Sequence, residues 1–148
     1  FWAGKFQAGT RRLYLEYLNK AYNLDVNRKL SPERYAETIA HARMGLSLFG
    51  NGFDTVRYWE LPAYGCCMFS ESIPIEIPHN FRDGREAVFF DDLKVLEEKM
   101  DHYLHHQDEV ERIAAAGHAH YLRHHTATAR ARHFLGWVEM YMQCTWDP

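Results

Sequence analysis

An arginine and a glutamate lie three residues apart among aromatic residues in the segment GNGFDTVRYWELPAYG, residues 50–65. If residues 55–64 form a helix, Arg57 and Glu60 share one of its faces. A guanidinium can bind a diphosphate, and a carboxylate can accept hydrogen bonds from a ribose diol. A structural ion pair on the helix surface has the same spacing. The apolar neighbours indicate a mostly buried helix, where charges need partners, and both interpretations stay open.

The glycine-rich loop before this helix, from Gly50 to Thr55, is a second candidate. Glycine lets a backbone approach a ligand closely, and a helix N-terminus presents free N–H groups to a phosphate. The loop has neither the G-x-G-x-x-G fingerprint nor the P-loop sequence. A plain glycine turn before a helix therefore remains the alternative.

Basic residues surround the first loop of the chain, at Lys5, Arg11 and Arg12. Beside a strand-to-helix turn that contains glycine, such side chains can hold phosphate oxygens. They can equally be exposed charges at the start of an amphipathic helix.

The chain has 10 histidines, and two pairs have the i, i+4 spacing that zinc favours, His102 with His106 and His120 with His124. No H-E-x-x-H sequence occurs, and both pairs are far along the chain from the glycine-rich loops. We interpret these histidines as solvated side chains on helix faces and predict no metal site. A histidine-based metal-binding domain is the weakest of three functional hypotheses.

The three cysteines are Cys66, Cys67 and Cys144. An odd count and the apolar context YGCCMFS indicate free thiols in a reducing compartment, so we predict a cytoplasmic protein. Because Cys66 and Cys67 begin an apparent interior strand, we assign them to packing and not to nucleophilic chemistry.

Composition favours a single soluble domain, because 148 residues of which 47% are hydrophobic can bury a core. No apolar run approaches the about 20 residues that a membrane span needs. The 17 basic and 20 acidic residues are well mixed, with a formal charge of -3. This balance gives no reason to expect nucleic acid as a partner, so any bound anion must be held locally.

Short apolar strands alternate with helices along the chain, a pattern typical of a parallel sheet with helices on both faces. We therefore predict an α/β fold with a Rossmann-like sheet, whose ligand binds at the carboxyl ends of the strands. The predicted strands are FWAG, RMGLSLFG, the central CCMFS, and EAVFF.

Helix signals are found between and after these strands. Thr10 is a predicted N-cap, and Leu13, Tyr17, Leu18 and Ala21 are the predicted inner face of the first helix. Ser31–Pro32 and Asp92 predict two further helix starts. The segment QDEVERIAAAGHAHYLRHH predicts one or two helices with a break near Gly117, and TARARHFLGWVEMYMQ predicts a last amphipathic helix.

Three long segments together resemble a known family: FGNGFDTVRYWELPAYGCCMFSE, PHNFRDGREAVFFDDLKVLEEKMDHYL and ERIAAAGHAHYLRHHTATARARHFL. They resemble the C-terminal half of glycosyltransferases with the GT-B fold, and above all the CgeB-like, group 1 glycosyltransferases. The resemblance covers nearly the whole chain and is least distinctive over its N-terminal third. It implies a Rossmann-like domain that binds a nucleotide-diphosphate sugar as substrate, with no further cofactor.

The resemblance also implies roles for particular residues. A glutamate in the position of Glu60 bonds the ribose of the nucleotide. Basic residues near the first strand-helix turn, here Lys5, Arg11 or Arg12, help to neutralise the diphosphate. The loop against the sugar and diphosphate corresponds to Gly52, Phe53, Asp54 and Thr55.

The chain departs from the family at Gly52. Many relatives have two glutamates separated by seven residues, and counting back from Glu60 puts the first of them at Gly52. The glutamate that would contact the donor sugar is therefore missing. A non-catalytic nucleotide-sugar-binding or spore-surface interaction module is accordingly our second hypothesis.

The resemblance further implies a two-domain enzyme with its active site between two Rossmann-like halves. The chain opens within an apparent strand and without a methionine, so we expect residues 1–148 to be one nucleotide-sugar-binding domain from a longer protein. The missing N-terminal half would hold the acceptor. We expect the intact protein to be a hexosyltransferase-like enzyme and this piece to be inactive by itself, with catalytic residues that the sequence does not identify.

Overall fold

The computed structural model describes Trp2, residues 10–26 and residues 29–145. The predicted strand FWAG, apart from Trp2, lies outside these ranges. The elements follow one another along the chain as α1 (Thr10–Tyr22), α2 (Pro32–Ala40), β1 (Met44–Ser47), α3 (Val56–Ala63), β2 (Cys67–Glu71), β3 (Val88–Phe90), α4 (Leu93–His105), α5 (Gln107–His124) and α6 (Ala127–Thr145).

The three described strands form one parallel sheet in the order β1-β2-β3. Met44 is opposite Cys67 at the start of the β1–β2 pair, and Phe69 is opposite Val88 in the β2–β3 pair. Every residue of β2 is buried, as expected for the middle strand of a sheet covered on both faces. The prediction of CCMFS as a central strand is confirmed.

Helices cover both faces of this sheet, which confirms the predicted α/β, Rossmann-like class. Neighbouring residues of a strand point to opposite faces, and β2 accordingly contributes Phe69 to one core and Met68 to the other. Residues of α1, α4 and α5 share the core of Phe69, including Leu15, Leu18, Leu96 and Ile113. Residues of α2 and α3 share the core of Met68, including Ile39, Tyr58 and Leu61.

Local sequence signals set several helix boundaries. The Ser31 hydroxyl accepts a hydrogen bond from the backbone N–H of Arg34 at 3.4 Å, and an Asp92 carboxylate oxygen accepts one from Val95 at 2.9 Å. Both predicted helix starts are therefore confirmed. Thr10 is the first residue of α1 and not a cap outside it.

The predicted inner face of α1 is confirmed at Leu18, which is buried, and at Tyr17, which packs against the core, but it is wrong at Leu13 and Ala21, which are exposed. Leu13 is 63% exposed, whereas Tyr14, Leu15 and Leu18 are buried. Apolar residues at positions 13, 14, 15, 17 and 18 fit two adjacent faces of a helix equally well. Only the packing against the sheet selects between these faces.

The predicted break near Gly117 is also wrong, since α5 is continuous from Gln107 to His124. Gly117 is buried where α5 crosses the backbone of Glu86, and a Cβ at this position would collide with the Glu86 carbonyl oxygen. The glycine therefore allows a close approach between helix and chain and does not interrupt the helix.

Helix α6 is present as predicted, but the described side chains along it are largely exposed. Its large apolar side chains in contact with solvent include Phe134, Leu135, Trp137 and Tyr141. Within the described part of the chain, no helix combines the length and apolarity required to cross a bilayer.

Replacing Gly117 with alanine tests the close approach. We expect Gly117→Ala to destabilise the fold by about 1–3 kcal/mol, because the added methyl group overlaps a buried backbone carbonyl. Gly136→Ala in α6 is the matched control, since a Cβ there meets no atom within 4 Å. Removing a helical glycine at that position should stabilise by up to about 1 kcal/mol. Urea unfolding of both variants measures the difference, and equal effects would contradict the proposed contact.

Candidate functional site

Two buried charged side chains hold the backbone that follows β1. Arg11 of α1 donates a hydrogen bond from Nη2 to the carbonyl of Leu48 at 2.6 Å. Glu71, the last residue of β2, accepts a hydrogen bond from the backbone N–H of Phe49 at 2.5 Å. Both side chains are buried, so a cation and a carboxylate fix the point at which the chain leaves the sheet.

The loop at residues 50–54 begins at this point and ends at the N-terminus of α3. The hydroxyls of Ser47 and Thr55 are 3.0 Å apart and join the two ends of the loop. Thr55 is the N-cap residue of α3, but its side chain makes no capping hydrogen bond. The ring of Phe53 meets that of Phe49 edge to face at 5.0 Å, while Gly52 is fully open to solvent on its side-chain side.

The guanidinium groups of Arg11 and Arg57 come together beside this loop. The guanidinium carbon of Arg57 is 4.3 Å from the centre of the Trp2 ring, and that of Arg11 is 5.3 Å from it. Burial, followed by the charge of Arg57, lowers the pKa of Arg11, and burial lowers the pKa of Arg57. Two like charges are therefore held together in a half-buried setting, with Glu71 acting on Arg11 and Glu60 on Arg57. A further anion would interact favourably with both guanidinium groups.

Glu60 lies one turn further along α3 and is held by α2. Its Oε2 accepts a hydrogen bond from the Tyr35 hydroxyl at 2.6 Å. Burial is the main cause that raises the pKa of Tyr35, and this bond raises it further. The charged pair on α3 thus has the partner that a mostly buried helix requires, and the charge of Glu60 also raises the pKa of Arg57.

Comparison with known families decides what kind of domain carries this site. A family model described as glycosyl transferase-like matches residues 3–136. The chain belongs to this glycosyl transferase-like family. The match agrees with the resemblance to group 1 glycosyltransferases, and closeness to CgeB-like members stays a prediction. No curated protein and no solved structure matches the chain.

The remaining candidate residues of this glycosyltransferase-like domain have different positions. Arg12 is exposed on α1, where its Nε is 2.7 Å from a carboxylate oxygen of Glu16. An Asp54 carboxylate oxygen accepts a hydrogen bond from the indole N–H of Trp59 at 2.6 Å. Lys5 lies outside the described residues. The structure therefore brings Arg11, Arg57 and the loop together and turns Arg12 toward solvent.

The interpretation of the histidines as solvated is wrong for the cluster at residues 118–125. The Nε2 atoms of His120 and His125 lie 2.7 and 2.8 Å from the carbonyl oxygen of His79, and His125 is buried. Burial lowers the pKa of His125 to about 4. The imidazoles hold the β2–β3 connection against α5, a contact between distant segments that helix periodicity does not reveal.

The cysteines that the structure describes behave as expected. Cys66 and Cys67 are free and buried. Burial raises the pKa of each thiol to about 12, so neither is a thiolate at neutral pH. Their assignment to packing is confirmed.

Three polar residues of the site are missing from the sequence prediction: Ser47, Glu71 and Tyr35. The sequence does point to Glu71 as a site residue, because an acidic residue directly follows the apolar run CCMFS at the carboxyl end of the middle strand. No sequence pattern identifies Ser47 and Tyr35 as site residues, since their contacts with Thr55 and Glu60 depend on how β1 and α2 pack against α3.

The pH dependence of stability tests the burial of Glu71. Burial raises the pKa of this carboxyl against the lowering effects of the Phe49 hydrogen bond and of Arg11. The folded state therefore favours the neutral form more than the unfolded chain does, and this contribution to stability is lost as pH rises from the unfolded pKa of about 4.3 through the folded pKa. We expect Glu71→Gln to be more stable than the wild type at pH 7, with a gain that shrinks toward pH 4.

Thermal unfolding between pH 4 and 8 measures this gain. The control is Glu16→Gln, which removes an exposed carboxylate of α1. A Glu71→Gln variant that is less stable than the wild type at pH 7 would contradict the expectation. The contacts with Arg11 and Phe49 would then outweigh the cost of burial.

Proposed function

We propose that this domain binds a nucleotide-diphosphate sugar and is the donor-binding domain of a glycosyltransferase with the GT-B fold. The observation that carries the proposal is the pair of guanidinium groups, Arg11 and Arg57, beside one indole at the end of β1. A diphosphate supplies the negative charge that such a pair favours, and arginine matches phosphate oxygens in geometry. In the glycine-rich loop that follows β1, a Cβ at Gly52 would meet no described atom within 4 Å, so the loop is open at that position.

Glycosyl transfer makes specific use of such cations. When the bond between the sugar and the diphosphate breaks, its electron pair goes to the leaving diphosphate oxygen, where negative charge builds up. Fixed positive groups stabilise this charge more in the transition state than in the bound donor, and this difference accelerates the reaction. Arg57 is well suited to the task, because burial and the indole of Trp2 hold it in place.

Glu60 is proposed to bind the ribose of the nucleotide. The Tyr35 hydroxyl occupies one of its carboxylate oxygens, and a carboxylate has about four acceptor positions. Glu60 can therefore accept hydrogen bonds from a ribose diol while Tyr35 keeps its orientation. The Glu60 carboxylate can therefore serve both as a structural hydrogen-bond partner and as a binding group for the nucleotide.

The acceptor is proposed to bind to a second Rossmann-like half of a longer protein, N-terminal to residues 1–148. The cleft between the halves would contain the reaction centre, and a base that activates the acceptor would belong to that half. This domain then contributes donor binding and stabilisation of the leaving group. No metal or other cofactor takes part in the proposed chemistry.

A second function, binding of a nucleotide sugar without transfer, is favoured by Gly52. A glutamate would be expected there from the resemblance, and a Cβ at Gly52 would meet no atom within 4 Å among the described residues. The space that the glutamate would fill is therefore open. Such a protein would be a nucleotide-sugar sensor or a spore-surface interaction module.

Two variants separate the ligand role of Glu60 from its structural role. Glu60→Gln weakens the acceptor for a ribose diol, and we expect nucleoside diphosphate affinity to fall about tenfold, equivalent to about 1.4 kcal/mol. Tyr35→Phe removes the hydroxyl that bonds Glu60 and acts on Arg57 but keeps the carboxylate and the guanidinium, so its affinity should change less. Isothermal titration of the full-length protein with UDP, GDP and ADP makes the comparison. Equal losses in both variants would mean that Glu60 acts through packing between α2 and α3.

Gly52→Glu tests whether the missing acid separates transfer from mere binding. Because a Cβ at Gly52 meets no described atom within 4 Å, the free energy of unfolding of the variant should be within about 0.5 kcal/mol of that of the wild type. We expect the intact wild-type protein to hydrolyse or transfer from at least one nucleotide sugar, and the variant to change the sugar preference while nucleoside diphosphate affinity stays the same. A wild type that binds donors but turns over none of a broad panel would favour the non-catalytic function.

A further inference from the structure

We propose that His102, His106 and Glu109 form a binding site for a divalent transition-metal ion at the joint between α4 and α5. One ligand atom from each of these three residues lies within 4.8 Å of the other two. His102 belongs to the last turn of α4, His106 is the residue between the helices, and Glu109 lies in the first turn of α5.

This joint is remote from the donor site. Arg43, directly before β1, donates a hydrogen bond to the side chain of Gln107 at 2.9 Å, so the joint lies near the amino end of β1. The loop at residues 50–54 follows the carboxyl end of the same strand. The proposed metal site therefore has no part in the glycosyl-transfer function proposed above and stands independently of it.

The distances suit a metal with tetrahedral geometry. His102 Nε2 and Glu109 Oε1 are 3.2 Å apart, and two ligands of a tetrahedral zinc ion with bonds of 2.0–2.1 Å are separated by about 3.3 Å. The rings of His102 and His106 stack with their centres 4.1 Å apart and an angle of 15° between them. The ligand atom of His106 lies within 4.8 Å of those of His102 and Glu109, and rotation of the His106 side chain would complete the coordination sphere.

The hydrogen bonding of His106 leaves the correct nitrogen available. Its Nδ1 is 2.7 Å from the backbone carbonyl oxygen of His102. A carbonyl oxygen only accepts, so Nδ1 carries the proton of the neutral ring and Nε2 keeps its lone pair. Metal-binding histidines in proteins are typically oriented by a bond of this kind.

The ligand set favours zinc or a similar ion. Two imidazoles and one carboxylate are ligands that zinc accepts, and three protein ligands leave a fourth position for water. The site is open to solvent, since the side chains of His102 and Glu109 are 46% and 34% exposed. The metal would use the lone pair of His102 Nε2, so the proton of the neutral ring would be carried by Nδ1.

A bound ion would tie the end of α4 to the start of α5. Both helices contribute to the core that contains Phe69, through Leu96, Val110 and Ile113. Metal binding should therefore raise the unfolding temperature of the domain, because an ion that binds only the folded state stabilises it. This effect gives a measurement that does not depend on enzyme activity.

Zinc titration of the metal-free full-length protein tests the proposal, by calorimetry and by thermal unfolding. We expect one zinc ion per chain and a raised unfolding temperature, with affinity reduced at least about tenfold in His106→Ala and in Glu109→Gln. His105→Ala is the matched control, because His105 Nδ1 makes the same contact with the carbonyl oxygen four residues earlier, at 2.7 Å, but lies outside the triad. This variant should bind zinc like the wild type.

Two results would overturn the proposal. The first is that the wild type does not bind zinc at millimolar concentration. The second is that it binds zinc with an affinity that neither His106→Ala nor Glu109→Gln changes. The second result would locate the ion elsewhere, for example near the stacked rings of His79 and His124, whose centres are 4.4 Å apart. Circular dichroism of the variants, all at solvent-accessible positions, confirms that each remains folded.

Discussion

The contacts of Arg11 and Glu71 with the backbone after β1 are the interactions on which the site depends. A buried charge is costly unless it is hydrogen-bonded, and these two side chains bond the carbonyl of Leu48 and the N–H of Phe49. They come from different elements, α1 and the end of β2. The direction in which the chain leaves the sheet is thus set by the assembled fold and not by the loop itself.

Helix α3 is positioned by contacts with several other parts of the fold. A Cβ at Gly45 of β1 would collide with the side chain of Leu61, so strand and helix are in close contact. Tyr35 then fixes Glu60 from the side of α2, and the indole of Trp2 lies against Arg57. The charged residues of α3 are therefore pre-organised, which lowers the entropy that ligand binding would cost.

Much of the fold could be predicted because its signals are local. The all-apolar run of β2, the caps at Ser31 and Asp92, and the alternation of strands with helices each depend on a few neighbouring residues. The inner face of α1 could be predicted only in part and the role of Gly117 not at all, because each depends on a contact with a distant segment. The local pattern is compatible with either outcome.

The candidate site divides in the same way. A short sequence pattern identifies the glycine-rich loop and the pair Arg57 and Glu60 on α3 as candidates. The family match supports the type of domain to which they belong. Glu71 and Tyr35 join the site only through folding, from segments 22 and 25 residues away from their partners. Arg11 combines the two cases. Its charge beside a predicted strand-helix turn indicates a phosphate ligand, but its burial beneath the loop cannot be predicted from the sequence.

The account depends most on two arginines that favour a diphosphate. Equilibrium titration of the full-length protein with nucleoside diphosphates and the corresponding monophosphates, followed by tryptophan fluorescence or calorimetry, tests this directly. We expect one molecule to bind per chain, with at least one of UDP, GDP and ADP binding about tenfold or more tightly than its monophosphate, since the additional phosphate gains charge-assisted hydrogen bonds. Failure of all three diphosphates to bind, or equal affinity for diphosphate and monophosphate, would contradict it.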